Sequence, residues 1–162
     1  MDVALISDTH IPSRASHVAG PFRERIEAAD HVVHAGDFDS EGALSNVGAM
    51  AARLTAVGGN MDPRIGLPDR ATVELGGVAF VVTHGTGSKH GYEGRVADIV
   101  REEAGETAVG VAGHTHEVLN TTRGGVRLLN PGSATGAAPA ERATMMSATV
   151  GGGELDVTVH EA

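Results

Sequence analysis

The chain has 162 residues, a formal net charge of −9 and no cysteine. That length suits one domain, able to bury roughly 70% of the surface its unfolded form exposes. The missing cysteine excludes disulfides, thiolate zinc sites, iron–sulfur clusters and thiol nucleophiles, so any metal must take nitrogen and oxygen ligands.

The acidic balance argues against a nucleic-acid partner, because tracking a phosphate backbone needs clustered Lys and Arg, and Lys89 is the only lysine. An acidic, lysine-poor composition suits work in concentrated salt, where surplus charge keeps a chain soluble under screening. A GC-rich genome would leave the same bias. The N-terminus enters an apolar strand pattern directly, and no apolar run approaches the roughly 18 residues of a membrane span, so a cytoplasmic protein is expected.

In chain order, Val3 to Ser7 is a continuous apolar run suited to a buried strand, and Pro21 to Ala29 opens a helix on a proline. His31 to Ala35 is the next strand, Glu41 to Ala52 the next helix and Thr55 to Val57 a further strand. This βαβαβ order implies parallel pairing. Thr72 to Leu75 and Val78 to Thr83 then flank Gly76-Gly77, a hairpin signal, and Gly124-Gly125 marks a second hairpin. Between them lie an amphipathic helix, Tyr92 to Ala104, and a strand, Val109 to Ala112. Thr144 to Val150 and Leu155 to His160 close the chain around Gly151-Gly152-Gly153. The expected architecture is one domain over residues 1–162, with two mixed sheets packed face to face and helices outside, in four layers α/β/β/α.

Five short clusters each follow an apolar strand: Asp8-Thr9-His10, Gly36-Asp37, Gly59-Asn60-Met61-Asp62, His84-Gly85 and Gly113-His114-Thr115-His116. Ligands of open α/β sheets collect at the carboxyl ends of strands, so five such ends can converge on one site. Explaining all these groups instead as caps and satisfied core residues is strained, because several polar groups aimed at one cleft without a cation would repel or stay unpaired.

D-x-H, G-D, G-N-x-D, H-G and G-H-x-H in that order resemble the signature of the calcineurin-like phosphoesterases, over the chain as far as about Ser133. Asp8-Thr9-His10 at the N-terminus and Asn130-Pro131-Gly132-Ser133 late in the chain point to the small YfcE-like phosphodiesterase branch. The resemblance implies a binuclear metal centre. It would place Asp8, His10 and His116 on one ion, Asn60, His84 and His114 on the other, and Asp37 between them. Two cations roughly 3.5 to 4 Å apart repel strongly, and a shared carboxylate offsets that. The all-nitrogen-and-oxygen set suits manganese, iron, zinc, cobalt or nickel better than calcium, and family analogy makes manganese the expected activator. The implied activity is hydrolysis of a small phosphodiester or nucleotide-like substrate by metal-bound hydroxide, with Asn60 and His114 carried over as catalytic positions.

Met61 departs from the pattern of several larger members, which carry histidine directly after the asparagine to protonate the leaving oxygen. Diesters with good leaving groups are therefore the expected substrates. Arg14, His17 and His90, with Lys89 beside it, are the candidate substrate contacts. His34 reads as a packed histidine rather than a ligand, Asp39 as a helix N-cap before Glu41, and Asp62 as a loop-orienting group. Rival readings are a non-catalytic scaffold of the retromer-subunit type and a nuclease. Expected partners are a small phosphorylated substrate and no membrane; a homo-oligomer is left open.

Overall fold

The computed structural model describes all residues 1–162. Ten strands and three helices follow in the order β1 Asp2–Ile6, α1 Gly20–Ala28, β2 His31–His34, α2 Glu41–Met50, β3 Leu54–Ala56, β4 Arg70–Leu75, β5 Val78–Thr83, α3 Tyr92–Ala104, β6 Val109–Val111, β7 Val118–Arg123, β8 Val126–Pro131, β9 Thr144–Gly151 and β10 Glu154–Glu161. They form two five-stranded sheets, β10-β9-β1-β2-β3 and β4-β5-β6-β8-β7. Both are mixed: β1, β2 and β3 run parallel in the first and β5, β6 and β8 in the second, while the hairpin partners add antiparallel edges.

Alternation along the strands decides which side chain enters which layer. In β1, Val3 and Leu5 face the second sheet and meet Phe80 and Val82 of β5, with Val111 and Leu129, in the central core. Ala4 and Ile6 point the other way, against Phe22 and Ile26 of α1 and Ala43 and Val47 of α2. Val81 and Leu128 likewise turn outward onto Val96, Ala97 and Val100 of α3. The apolar positions of the helices recur four residues apart, so each helix buries one stripe. Enclosing a side chain such as Phe80, which is fully buried, stabilises the fold by about 2 kcal/mol.

Capping sets where α2 begins. Ser40, not Asp39, is its N-cap, and its hydroxyl accepts from the Ala43 amide at 3.0 Å. This corrects the expectation for Asp39: its φ of +77° lies outside the extended conformation an N-cap adopts, and its carboxylate is engaged elsewhere. At the far end of the sandwich the Gly76-Gly77 and Gly152-Gly153 turns meet, with the Gly153 amide donating to the Gly76 carbonyl at 3.0 Å. The opposite end carries the carboxyl termini of six parallel strands, three from each sheet.

Candidate metal centre

The loops at that end are tied to one another before any side chain is considered. Asp8 N donates to Gly36 O, His10 N to Asp37 O and Gly113 N to His84 O, each at 3.0 Å. Two glycines permit this crowding. A Cβ at Gly59 would collide with the Asp37 carboxylate, and one at Gly113 would strike Ser7 Oγ and stand 2.5 Å from Asp8 Oδ2.

Six non-glycine residues have positive φ: Asp8, His10, Asp37, Asp39, His114 and His116. All belong to this end of the molecule. Left-handed backbone costs an L-residue roughly 1–2 kcal/mol, least for Asn, Asp and His. Strain of this kind persists where the surroundings demand one side-chain direction, and it clusters at functional sites.

Two groups of ligand atoms result. Asp8, His10 and His116 form one, Asp37, His84 and His114 the other, and within each group the ligand atoms lie within 4.8 Å of one another. Asp37 Oδ2 stands between them, 3.5 Å from His10 Nε2 and 3.1 Å from His84 Nε2. Asp8 Oδ1 is also central, 3.3 Å from His116 Nε2 and 3.8 Å from both His10 Nε2 and His84 Nε2. Asn60, exposed at the rim, places Oδ1 3.1 Å from His114 Nδ1. The structure thus brings all seven residues of the proposed ligand set together.

The outer atom of each ligand is already engaged. His10 Nδ1 donates to Asp39 Oδ1 at 2.8 Å, His84 Nδ1 to Ala35 O at 2.7 Å and His116 Nδ1 to Ala137 O at 2.8 Å. Each therefore turns Nε2 inward, the nitrogen whose lone pair can meet a cation once its proton is displaced. The carboxylates do likewise. Asp8 Oδ2 accepts from Ser7 Oγ and the His114 amide, and Asp37 Oδ1 accepts from the Met61 amide. The inner atoms are left facing other acceptors: His10 Nε2 and His116 Nε2 are 3.1 Å apart, and Asp8 Oδ1 and His84 Nε2 are buried without a partner. Acceptors held against acceptors in a buried cluster repel unless positive charge lies between them, so the residues present fit divalent cations.

Proton affinities respond to the same demand. Burial would raise the Asp8 pKa, yet the neighbouring His10, His116 and His84 rings hold it well below the usual carboxylate range, a proton on a ring standing in the metal-free centre where a cation would otherwise supply the positive charge. Burial likewise opposes ionisation of Asp37, and the adjoining His84 ring, its Nε2 3.1 Å from Asp37 Oδ2, outweighs it and lowers the pKa. Burial would discharge His10 and His84, but Asp8 and Asp37 overcome it and both histidines hold their protons more tightly than usual. His34 goes the other way. Complete burial depresses it to about 3, and the neutral ring accepts from Gly36 N, donates to Thr9 Oγ1 and stacks on Phe38.

Several further residues hold the ligands in place, among them Asp62, which orients the loops as expected. Asp39 orients His10 and also accepts from Ser13 Oγ. Asp62 gathers the amides of Asp37, Asp39 and Gly59 at 2.8 to 2.9 Å. Tyr92 Oη and Asn130 Nδ2 both donate to Gly113 O, at 2.7 and 3.1 Å, fixing the turn that carries His114. Asp39→Ala should weaken cation binding ten- to a hundredfold, since partners of this kind orient the ligand without providing it, while alanine at φ +77° lowers the melting temperature by only a few degrees; calorimetric titration with Zn²⁺ reads the change, and unaltered affinity would refute the role.

The candidate substrate contacts are dispersed. Arg14 donates to Ala138 O. His17 lines a cavity of about 430 Å³ between α1 and α2, and Lys89 and His90 line another of about 410 Å³, where Lys89 pairs with Glu117. A third cavity, of about 370 Å³, is bordered by Asn60 and His84, and its cationic wall is Arg95. Arg14, His17 and His90 are not among its lining residues.

The chain is thus a double-sheet α/β fold with two adjoining Asp/His groups at its carboxyl edge, each able to hold a metal ion. Residues 1–153 match the calcineurin-like phosphoesterase superfamily domain, and the chain belongs to that family. It is 30% identical over 137 residues to a probable metallophosphoesterase of Methanothermobacter thermautotrophicus, covering 83% of this chain and 78% of that one. A probable metallophosphoesterase of Methanocaldococcus jannaschii is 29% identical over 135 residues, covering 83% and 69%. Among solved structures, wild-type Vps29 of Entamoeba histolytica complexed with Zn²⁺ superposes with a TM-score of 0.80 at 23% identity, over 100% of this chain and 98% of that one, a likeness of fold alone. No helix is long and apolar enough to cross a membrane.

Proposed function

We propose that the protein is a binuclear metal-dependent phosphodiesterase acting on a small phosphodiester or nucleotide-like substrate, with manganese as the activating ion. The observation that carries this reading is the inward-facing set of lone pairs from Asp8, His10, Asp37, His84, His114 and His116, completed by Asn60. When bound, two cations supply Lewis acidity toward phosphoryl oxygens and lower the pKa of water toward neutrality.

The chain's own residues contribute positioning. Asn60 Oδ1 faces His114, which leaves its amide Nδ2 to donate to a phosphate oxygen at the mouth of the cavity. His114 is the least enclosed of the four ligand histidines and stands beside that amide. Met61 is 46% exposed next to Asn60, and its thioether offers no proton to a leaving group. Diesters with acidic leaving groups are therefore the favoured substrates.

Two measurements test this. Manganese-dependent hydrolysis of an aryl phosphodiester must appear in the wild type and vanish in a variant at Asp37. In addition, Met61→His should flatten the dependence of kcat/KM on leaving-group pKa and raise turnover of alkyl esters roughly a hundredfold, the low end of general-acid contributions. An unchanged dependence would show that Met61 is not what limits leaving-group protonation.

A second reading is a non-catalytic scaffold of the retromer-subunit type; Vps29 has the same fold and is itself seen with Zn²⁺. The complete ligand set weighs toward the enzyme, and absence of turnover in a protein carrying both ions would decide for the scaffold. A nuclease fits the ligand set but not the net charge of −9.

A further inference from the structure

Three of the ligand histidines, His10, His84 and His116, turn Nε2 inward because Nδ1 is hydrogen-bonded outside. His114 is reversed: its Nε2–H donates to Gly87 O at 2.9 Å, and Nδ1 faces Asn60 Oδ1. Gly87 lies in the exposed connection between β5 and α3, where no strand pairing fixes the direction of its carbonyl.

Arg95, in the first turn of α3, supplies that constraint. Its Nη2 donates to Gly85 O at 3.0 Å and to Ser88 O at 2.9 Å, one on each side of Gly87. The guanidinium also lies so close over Gly87 that a Cβ there would stand 3.2 Å from Arg95 Cζ. Its cationic group is further held near the Tyr92 ring, 5.8 Å from the centroid. This geometry leaves Arg95 Nε buried without a partner, which costs about 1–3 kcal/mol.

We propose that Arg95 is a positioning residue for the second cation group: by clamping the loop from Gly85 to Ser88 it aims the Gly87 carbonyl at His114 and so selects the tautomer that presents Nδ1 beside Asn60. The proposal rests on the two-cation reading for its consequence, but the tautomer itself does not depend on any ion. Loss of the clamp frees the loop, lets the His114 proton move to Nδ1 and withdraws a ligand from the second group only.

The test uses Arg95→Met, which keeps the apolar stem without donors, and Arg95→Lys, which keeps the charge and part of the donor capacity. In metal-free protein at alkaline pH, ¹⁵N spectra of the His114 ring should show protonated Nε2 in the wild type, a mixture with protonated Nδ1 in Arg95→Met, and an intermediate state in Arg95→Lys. Zn²⁺ titration should show the step that Asn60→Ala also weakens falling by about tenfold or more in Arg95→Met, with the other step within twofold of wild type and little change in melting temperature. The proposal is overturned if His114 keeps protonated Nε2 and both steps are unchanged, or if both steps and the melting temperature fall together, which is a general structural role. Should the wild type bind a single Zn²⁺, the two-cation reading fails while the His114 spectra still decide the role of Arg95.

Discussion

Asp37→Asn should lower manganese-dependent hydrolysis of an aryl phosphodiester on the order of a thousandfold or more, since each 1.4 kcal/mol of lost stabilisation is tenfold in rate and the charge stabilisation provided by a clamped pair of ions amounts to several kcal/mol. Asp37 Oδ2 is the oxygen within 3.5 Å of a histidine in each group. Removing its charge would take away the group that, on the proposed reading, offsets repulsion between two neighbouring cations. Asparagine tolerates the left-handed backbone at this position and can still accept the Met61 amide through its carbonyl oxygen. The metal-free variant should therefore melt close to the wild type. Asp8 and Asp37 destabilise each other's charge, so losing one carboxylate also relieves repulsion in the empty cluster. Asp37→Ala should be equally inactive and slightly less stable, because alanine at φ +64° carries the left-handed penalty without a compensating bond. Steady-state rates at saturating Mn²⁺ check the expectation, and wild-type turnover in either variant would remove Asp37 from the bridging position.

Much of this centre was legible in the sequence because its chemistry repeats one local pattern: an apolar strand, then Asp, Asn or His beside glycine. The apolar runs Val3 to Ser7 and Val78 to Thr83 marked strands β1 and β5 and the Gly-Gly pairs marked the hairpins, whereas the side of each strand that enters the central layer is seen only in the fold. Less legible were residues whose role depends on contacts far along the chain. Asp39 and Ser40 are adjacent, both can cap a helix, and only the three-dimensional position of His10 determines that Asp39 turns away to orient it. Asn130 lies seventeen positions from Gly113, and its grip on that carbonyl appears only once β8 is seated beside β6. Arg95 looks like an ordinary charged residue on an amphipathic helix. A loop that folds back over the start of α3 turns it inward. The substrate contacts suffered from the opposite problem: Arg14, His17 and His90 follow ligand motifs in sequence, yet short polar loops diverge within a few residues, and these side chains border different surfaces.

Cation loading should also be visible without any substrate, as stability. A ligand at a hundred times its Kd stabilises the native state by about 2.7 kcal/mol per site, so two filled sites contribute about 5 kcal/mol. For a chain of this length each kcal/mol moves the midpoint by about 2–4 °C, which predicts a rise of about 10–20 °C between chelated and loaded protein. Tight binding, and so a hundredfold excess at modest ion concentration, is expected because Asp8 Oδ1 and His84 Nε2 lie buried without a partner in the metal-free centre. Four imidazoles in the set make the ordering of ions a second check. Zinc should reach half its effect at a lower free concentration than manganese, following the general affinity order of first-row metals, and calcium, which prefers six to eight oxygens, should move the midpoint least. Asp37→Asn should keep at most the part of the shift that one remaining site can provide. A shift below about 1 °C with every transition metal, or a full shift in a protein lacking both His10 and His84, would show that the cluster holds its acceptors together for some reason other than binding cations.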